Sequence, residues 1–364
     1  MSRTFPREIK RLVVKVGSSL IATYKMKPKK AMLSSLVSQM SEVSRQGKQV
    51  VLVSSGAIVL GMGELGEPVR PSDLASLQAR AAIGQAVLMR VYSDLFKKNK
   101  TKCAQILLTW EDFDNRVRYN NARNTFLSIL ESGVIPIVNE NDTISTDEIK
   151  FGDNDKLSAL VAGLIHADLL LILSDVEGLY DLKSNEKKIF DEIKEVTDEI
   201  KQIASGSGSA KKHISKGGMS AKLEAIKIAT QANVPCVIAH GETPDILRRV
   251  LNGERLGTFF VEKEEKLLSK KHWISFGAKP KGKLVVDDGA KVALLKGGRS
   301  LLLVGIVNFD GHFKAEDVVI VADRDGHEIA RGISNYSITD LHKTIDKKGR
   351  QEVIHCDNLV LCER

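Results

Sequence analysis

At 364 residues, with 43% hydrophobic and 27% charged positions, the chain is long enough for two domains and has the composition of an ordinary globular protein, which argues against a disordered or fibrous one. Its longest apolar run, LSALVAGLIHADLLLIL, is broken by His166 and Asp168, so no membrane span is expected. The N-terminus MSRTFPREIKRLVVKVG shows no signal-peptide core, and cytoplasm is the expected location. Cys103, Cys236, Cys356 and Cys362 form no CxxC pair and the eight histidines no HxxxH, which speaks against a zinc site or a disulfide framework.

The net charge of +8 is distributed as 36 Lys+Arg against 30 Asp+Glu in residues 1–260 and 14 against 13 in residues 275–364. An anionic small-molecule substrate explains that placement as well as RNA does, and the near-neutral C-terminal part speaks against a strong phosphate footprint.

In chain order, 11–16 (RLVVKV), 50–54, 103–108, 134–138, 169–173 and 234–239 are short β-branched or leucine-rich runs that read as buried strands. Amphipathic stretches at 30–46, 73–99, 120–132, 156–166 and 219–232 alternate with them and read as helices. The alternation predicts an α/β fold: a three-layer, mainly parallel sheet with helices on both faces and ligand loops at the carboxyl ends of its strands. From Phe276 onward short strands separated by Gly and Asp turns predict a small β-rich domain. The expected boundaries are 1–260, a charged linker 261–275, and 276–364.

The chemistry-bearing stretches are also met in order. KVGSS at 15–19 ends the first strand with a lysine, then glycine and hydroxyls, and SSGAI at 54–58 opens a helix after the second. Each alone is as compatible with an ordinary strand end or N-cap. GMGELG at 61–66 matches GxGxxG but does not join a strand directly to a helix, so a dinucleotide site is not expected. No GxxxxGK[ST] occurs.

The stretch NENDTISTDEIKFGDND at 139–155 carries six acidic residues and three asparagines between two apolar runs, and reads as a loop. It lacks the glycine and glutamate of an EF-hand. LILSDVEGLY at 171–180 puts Ser174 and Asp175 at another strand end, and SGSGSAKKHISKGGMSAK at 205–222 leads into a helix carrying Lys222. A plain βα turn and a flexible linker are the bland readings of these two.

What weighs against the bland readings is their coincidence on one edge of one sheet. Two lysines, hydroxyl-glycine loops and a group of carboxylates and amides describe a site that moves a phosphoryl group between anions, by positioning and charge neutralisation. NEND and GDND together supply carboxylates and amide oxygens for an acceptor that carries an ammonium group.

KVGSS, SSGAI, VNENDTISTDEIKFGDNDKLSAL, LSDVEGLY and GGMSAK, in this order and spacing, resemble the glutamate 5-kinase family of the amino acid kinase superfamily. Residues 276–364 resemble a PUA domain. The resemblance implies ATP-dependent phosphorylation of the γ-carboxylate of L-glutamate, opening proline synthesis, with Mg2+ arriving on ATP. By position it implies Lys15 and Lys222 as stabilisers of the transferring group and Asp155 as their orienter.

It further implies Ser55, Asp142, Asn154, Asn139 and Asp153 at the glutamate. Lys15, Ser174, Asp175, Lys216, Gly217, Gly218, Met219, Ser220, Ala221 and Lys222 would lie at the nucleotide. A homo-oligomer, inhibition by proline and coupling to γ-glutamyl phosphate reductase are implied too; RNA is not an expected partner, nor is a membrane. The family's nucleotide loop usually reads GTGGM, a small residue, Thr and Lys. Here Ser215, Lys216 and Ala221 depart from it. The other readings open at this point are a kinase of the same superfamily acting on another carboxylate, a carbamate or a phosphate, and an RNA-binding role.

Overall fold

The computed structural model describes residues 3–145, 154–181, 188–206, 218–262, 269–344 and 349–362. Two compact units emerge. The first holds residues 1–112 and 117–266, and the second holds 113–116 and 267–364.

The first unit runs β1 (Arg11–Val16), α1 (Lys30–Arg45), β2 (Gln49–Ser54), α2 (Ala57–Leu65), α3 (Leu74–Lys98), β3 (Cys103–Leu108), α4 (Arg116–Glu131) and β4 (Ile135–Glu140). It continues with α5 (Asn154–Leu164), β5 (Leu169–Ser174), β6 (Glu192–Ile193), α6 (Met219–Gln231), β7 (Cys236–His240) and β8 (Thr258–Phe260). These strands form an eight-stranded sheet in the order β3-β4-β2-β1-β5-β7-β8-β6, beside a separate two-stranded pair of Tyr180–Asp181 and Lys188–Ile189. In the eight-stranded sheet all neighbours are parallel except β7 and β8.

These runs become central strands because both faces are covered, so an unbroken aliphatic sequence is what the position requires. Leu12, Val14 and Val16 of β1 and Leu169, Leu171 and Leu173 of β5 are buried with Leu33, Leu36, Val37 and Met40 of α1. The alternate residues Val13 and Lys15 face the other side, where α5 lies. The chain enters β1, returns to β2 on one flank and later to β5 on the other. The carboxyl ends of β1, β2 and β5 therefore meet at a topological switch point.

Two differences from the sequence expectation bear on the site. β4 runs to Glu140, so Asn139 and Glu140 are strand residues in register with Leu107 and Leu108 rather than part of a loop. α5 begins at Asn154, which places Asn154 and Asp155 in its first turn, where a carboxylate is favoured by the helix dipole.

The second unit contains β9 (Gly282–Val286), α7 (Asp288–Leu295), β10 (Ile306–Gly311), β11 (Val318–Ala322), β12 (Glu328–Ile333) and β13 (Leu359–Leu361). The strands form a sheet in the order β10-β9-β11-β12-β13 over its own core of Leu284, Val286, Val319, Val321 and Ile354. The helix α7 was not legible as such, because DDGA reads as a turn. Asp287 caps it by accepting a 2.7 Å bond from the Ala290 amide. Among the described residues, no helix is long and apolar enough to cross a membrane.

Candidate active site

The carboxyl ends of β4, β2, β1 and β5, side by side in the sheet, carry Asn139, Ser54, Lys15 and Ser174. Each occupies a place where a strand gives way to a loop or helix, so backbone ordered by the sheet presents a polar side chain at one edge.

Asp155 stands at the centre. Its side chain is wholly buried, and it pairs through Oδ1 with Lys15 Nζ and through Oδ2 with Lys222 Nζ at 3.2 Å. Lys15 comes from β1, Asp155 from the start of α5 and Lys222 from the first turns of α6, so three elements far apart in sequence converge. Both lysine side chains are buried to within 8% of full burial. Charged groups are kept in such surroundings only when paired, and here one carboxylate fixes two ammonium groups in place.

Beside this cluster lies a chain of side-chain amides. Asn154 Nδ2 donates to the Ser54 carbonyl oxygen at 3.1 Å, to Ser55 Oγ at 3.1 Å and to Asn139 Oδ1 at 2.8 Å. Asn139 Nδ2 donates in turn to Gln85 Oε1 at 2.9 Å. Ser54 Oγ shares a 2.9 Å bond with the hydroxyl of Tyr92, whose complete burial pushes its phenol well above the ordinary range.

Gln85 and Tyr92 belong to α3, as does Gln78, which donates to the Ser145 carbonyl at 3.0 Å and so holds the loop after β4. Gln78, Gln85 and Tyr92 are seven residues apart, two helical turns, and thus lie on one face. This helix is a part of the site that none of the sequence motifs marks. The signal available was three polar-tipped side chains at heptad spacing, in a helix that also carries Arg80 and Arg90.

The close seating of α3 explains Gly61, the first glycine of GMGELG. A Cβ on Gly84 would come within 1.7 Å of the Ala57 carbonyl oxygen, and one on Gly61 within 1.9 Å of the Arg80 carbonyl oxygen. The other two glycines have other reasons: a Cβ on Gly63 would come within 2.2 Å of the Met26 carbonyl oxygen, and Gly66, at φ 70°, is the C-cap of α2. Gly56, at φ 102°, lets the chain turn from β2 into α2, and any Cβ there would meet Ile21 at 2.8 Å.

The remaining expected residues are placed as follows. Asp142 is half-buried on the loop after β4, while Glu140 is buried and accepts a 2.7 Å bond from Ser145 Oγ, a structural use for one acid of the stretch. Ser174 is buried at the end of β5 and donates to the exposed Asp175 at 3.1 Å. Gly218 is the N-cap of α6 and Met219, Ser220 and Ala221 form its first turn ahead of Lys222. Gly17 sits beside Lys15, its own amide bonded to the Leu173 carbonyl at 3.3 Å. Asp153, Lys216 and Gly217 lie outside the described residues.

Residues 10–240 match the amino acid kinase family and residues 282–356 the PUA domain. The glutamate 5-kinase of Carboxydothermus hydrogenoformans is 43% identical over 376 aligned positions, covering 99% of this chain and all of that one. The glutamate 5-kinase of Dictyoglomus turgidum is 46% identical over 372 positions and 98% of each chain. Among solved structures, a carbamate kinase from Giardia lamblia bound to AMP-PNP aligns with 70% of this chain and 99% of its own, at 20% identity and a TM-score of 0.49.

Proposed function

The chain belongs to the amino acid kinase family, and from that premise we propose that its strand-end cluster carries the ATP-dependent phosphorylation of the γ-carboxylate of L-glutamate, giving γ-glutamyl phosphate in the first step of proline biosynthesis. The observation that supports the assignment of roles is the convergence of Lys15 and Lys222 on the buried carboxylate of Asp155.

The acceptor is a carboxylate with an ordinary pKa of about 4.3, already ionised at neutral pH, so the reaction needs no general base. It needs two anions brought together and the charge that spreads over the phosphoryl oxygens neutralised. Each ammonium offers three N–H donors. Asp155 positions both ammonium groups, and Lys15 and Lys222 bind most strongly as that charge develops.

Ser55 and Asn154 hold the acceptor, with Asn139 fixing Asn154 from behind. Asp142 takes the substrate ammonium, and Asp153 is assigned to the same side. Ser174, Asp175 and residues 216–222 take the nucleotide. There the start of α6, a helix of 13 residues, supplies amide donors for phosphate oxygens.

A divalent cation accompanies ATP in this chemistry. At the centre of the site the Asp155 carboxylate already holds two ammonium groups, and among the described residues the His/Cys/Asp/Glu groups able to hold a metal are in the second unit. That donor set fits a cation carried by the nucleotide phosphates, and we propose magnesium, which favours phosphate and water ligands over protein cages. Bound there, it offsets phosphate charge. We also propose, as the resemblance implies, that proline inhibits at the acceptor side and that the chain is a cytoplasmic homo-oligomer coupled to γ-glutamyl phosphate reductase.

The test is acyl-phosphate formation, trapped with hydroxylamine, from ATP and magnesium with L-glutamate, L-aspartate and N-acetyl-L-glutamate in parallel. Signal with L-glutamate alone, suppressed by proline, is expected; signal with another acceptor in its place would overturn the substrate assignment. Asp142→Ala is expected to raise the glutamate KM about tenfold or more, the loss of one charge-assisted bond, while kcat changes little.

A further inference from the structure

We propose that Gln85 is a positioning residue of the acceptor side, which sets the direction of the amide chain and presents its own Nε2 to a carboxylate oxygen of the bound amino acid. This rests on the reading of that side as an amino-acid site.

The two ends of a side-chain amide are told apart by their partners. The Ser54 backbone carbonyl can only accept, so the Asn154 atom 3.1 Å away is Nδ2. The same Nδ2 reaches Asn139 at 2.8 Å, which obliges Asn139 to present Oδ1 there. The opposite end of Asn139 is then Nδ2, and the Gln85 atom 2.9 Å from it is Oε1. One backbone carbonyl thus fixes the direction of three amides in series.

Each end of the amide chain leaves a polar group unused. At the far end Gln85 Nε2 is buried without a hydrogen-bond partner, on a residue only 9% exposed. A buried, unpaired donor is costly, and native interiors keep one where a ligand or water completes it. At the near end Ser55 Oγ accepts from Asn154, which turns its own proton elsewhere, and the side-chain oxygen Oδ1 of Asn154 makes no hydrogen bond among the described residues. The chain therefore leaves one acceptor, suited to an ammonium, and two donors, suited to a carboxylate. An amino acid carries both groups.

Gln85 is also held to its place. A Cβ on the adjacent Gly84 would lie 1.7 Å from the Ala57 carbonyl oxygen, so α3 is seated on α2 as closely as backbone allows.

Two variants separate the roles. Gln85→Glu keeps an oxygen to accept from Asn139 but puts a second acceptor, with charge, where Nε2 was. Gln85→Leu removes both functions at similar volume. Both are expected to raise the KM for L-glutamate by about tenfold or more, the effect of losing a bond to a charged group, with the KM for ATP and kcat changed about threefold or less. A Gln85→Glu enzyme with wild-type glutamate KM would overturn the proposal, whatever Gln85→Leu does to the melting temperature, because Gln85→Glu keeps the acceptor for Asn139 and removes the donor assigned to the substrate. Calorimetric titration of L-glutamate reads the same loss without turnover. A wild type that binds glutamate but forms no acyl phosphate would refute the reaction, while the ratio of wild-type to Gln85→Glu affinities would still decide the contact.

Discussion

Two aspartates in this chain each gather several donors, and they do it for different ends. Asp155 takes the ammonium groups of Lys15 and Lys222, from elements that meet only because the sheet brings β1, α5 and α6 together. Asp323, in the second unit, takes the Lys291 ammonium at 2.8 Å and the amides of Asp325 at 3.1 Å and His327 at 2.9 Å, two of its three donors lying within four residues of itself. The second arrangement closes the hairpin between β11 and β12, where Gly326 adopts φ 88°. The difference teaches how to weigh a buried carboxylate. When most of its partners are local amides, with one lysine added as at Asp323, it is holding a turn; when all are cations from distant elements at strand ends it is holding a site.

The largest effect that would break this comparison is at Asp155. Asp155→Ala leaves two buried ammonium groups facing each other, a change of about 3–5 kcal/mol in stability for a broken buried ion pair. It is also expected to lower kcat by about 10³-fold, since both lysines lose their position. Stopped-time acyl-phosphate assays and urea unfolding read the two parts separately.

Tyr92→Phe is expected to be milder. It removes one of the two partners of Ser54 Oγ and is expected to cost about 1 kcal/mol in urea unfolding, the worth of one buried hydrogen bond.

Asp323→Asn is expected to be the smallest and to spare the reaction. The Lys291 bond, with the amide bonds and the charges of Lys291 and His327, holds the Asp323 carboxyl down to about 2. A depressed carboxyl stabilises the fold above its ordinary unfolded value of about 3.9 and loses that contribution as pH falls through about 2. The wild-type second unit should therefore lose stability over that acid window, and Asp323→Asn should lose the dependence while kcat at neutral pH stays unchanged. A fall in kcat would mean that the hairpin is not merely structural.

The same contrast explains what could be read from sequence. Buried parallel strands have nowhere to place polar residues, so VVLVS and LLLILS announce themselves, and the polar residues that end them stand out. Lys15 stands out as a strand-end lysine that is by itself equally compatible with solvent, and the roles given to Lys15, Asp155 and Lys222 come from the resemblance of the motif series as a whole. Gln85 and Tyr92 were not legible, because polar residues in an amphipathic helix normally face solvent. Only the sheet order shows that this face of α3 covers strand ends. The short strands β6 and β8 carry too few residues for a pattern, and α7 depends on the cap from Asp287.

The most direct measurement of the central claim is kcat and glutamate KM for Lys222→Ala beside the wild type. If the cluster on Asp155 stabilises the transferring phosphoryl group, kcat falls by about 10²–10³-fold while the glutamate KM moves little. Near-normal turnover would contradict the two-lysine account.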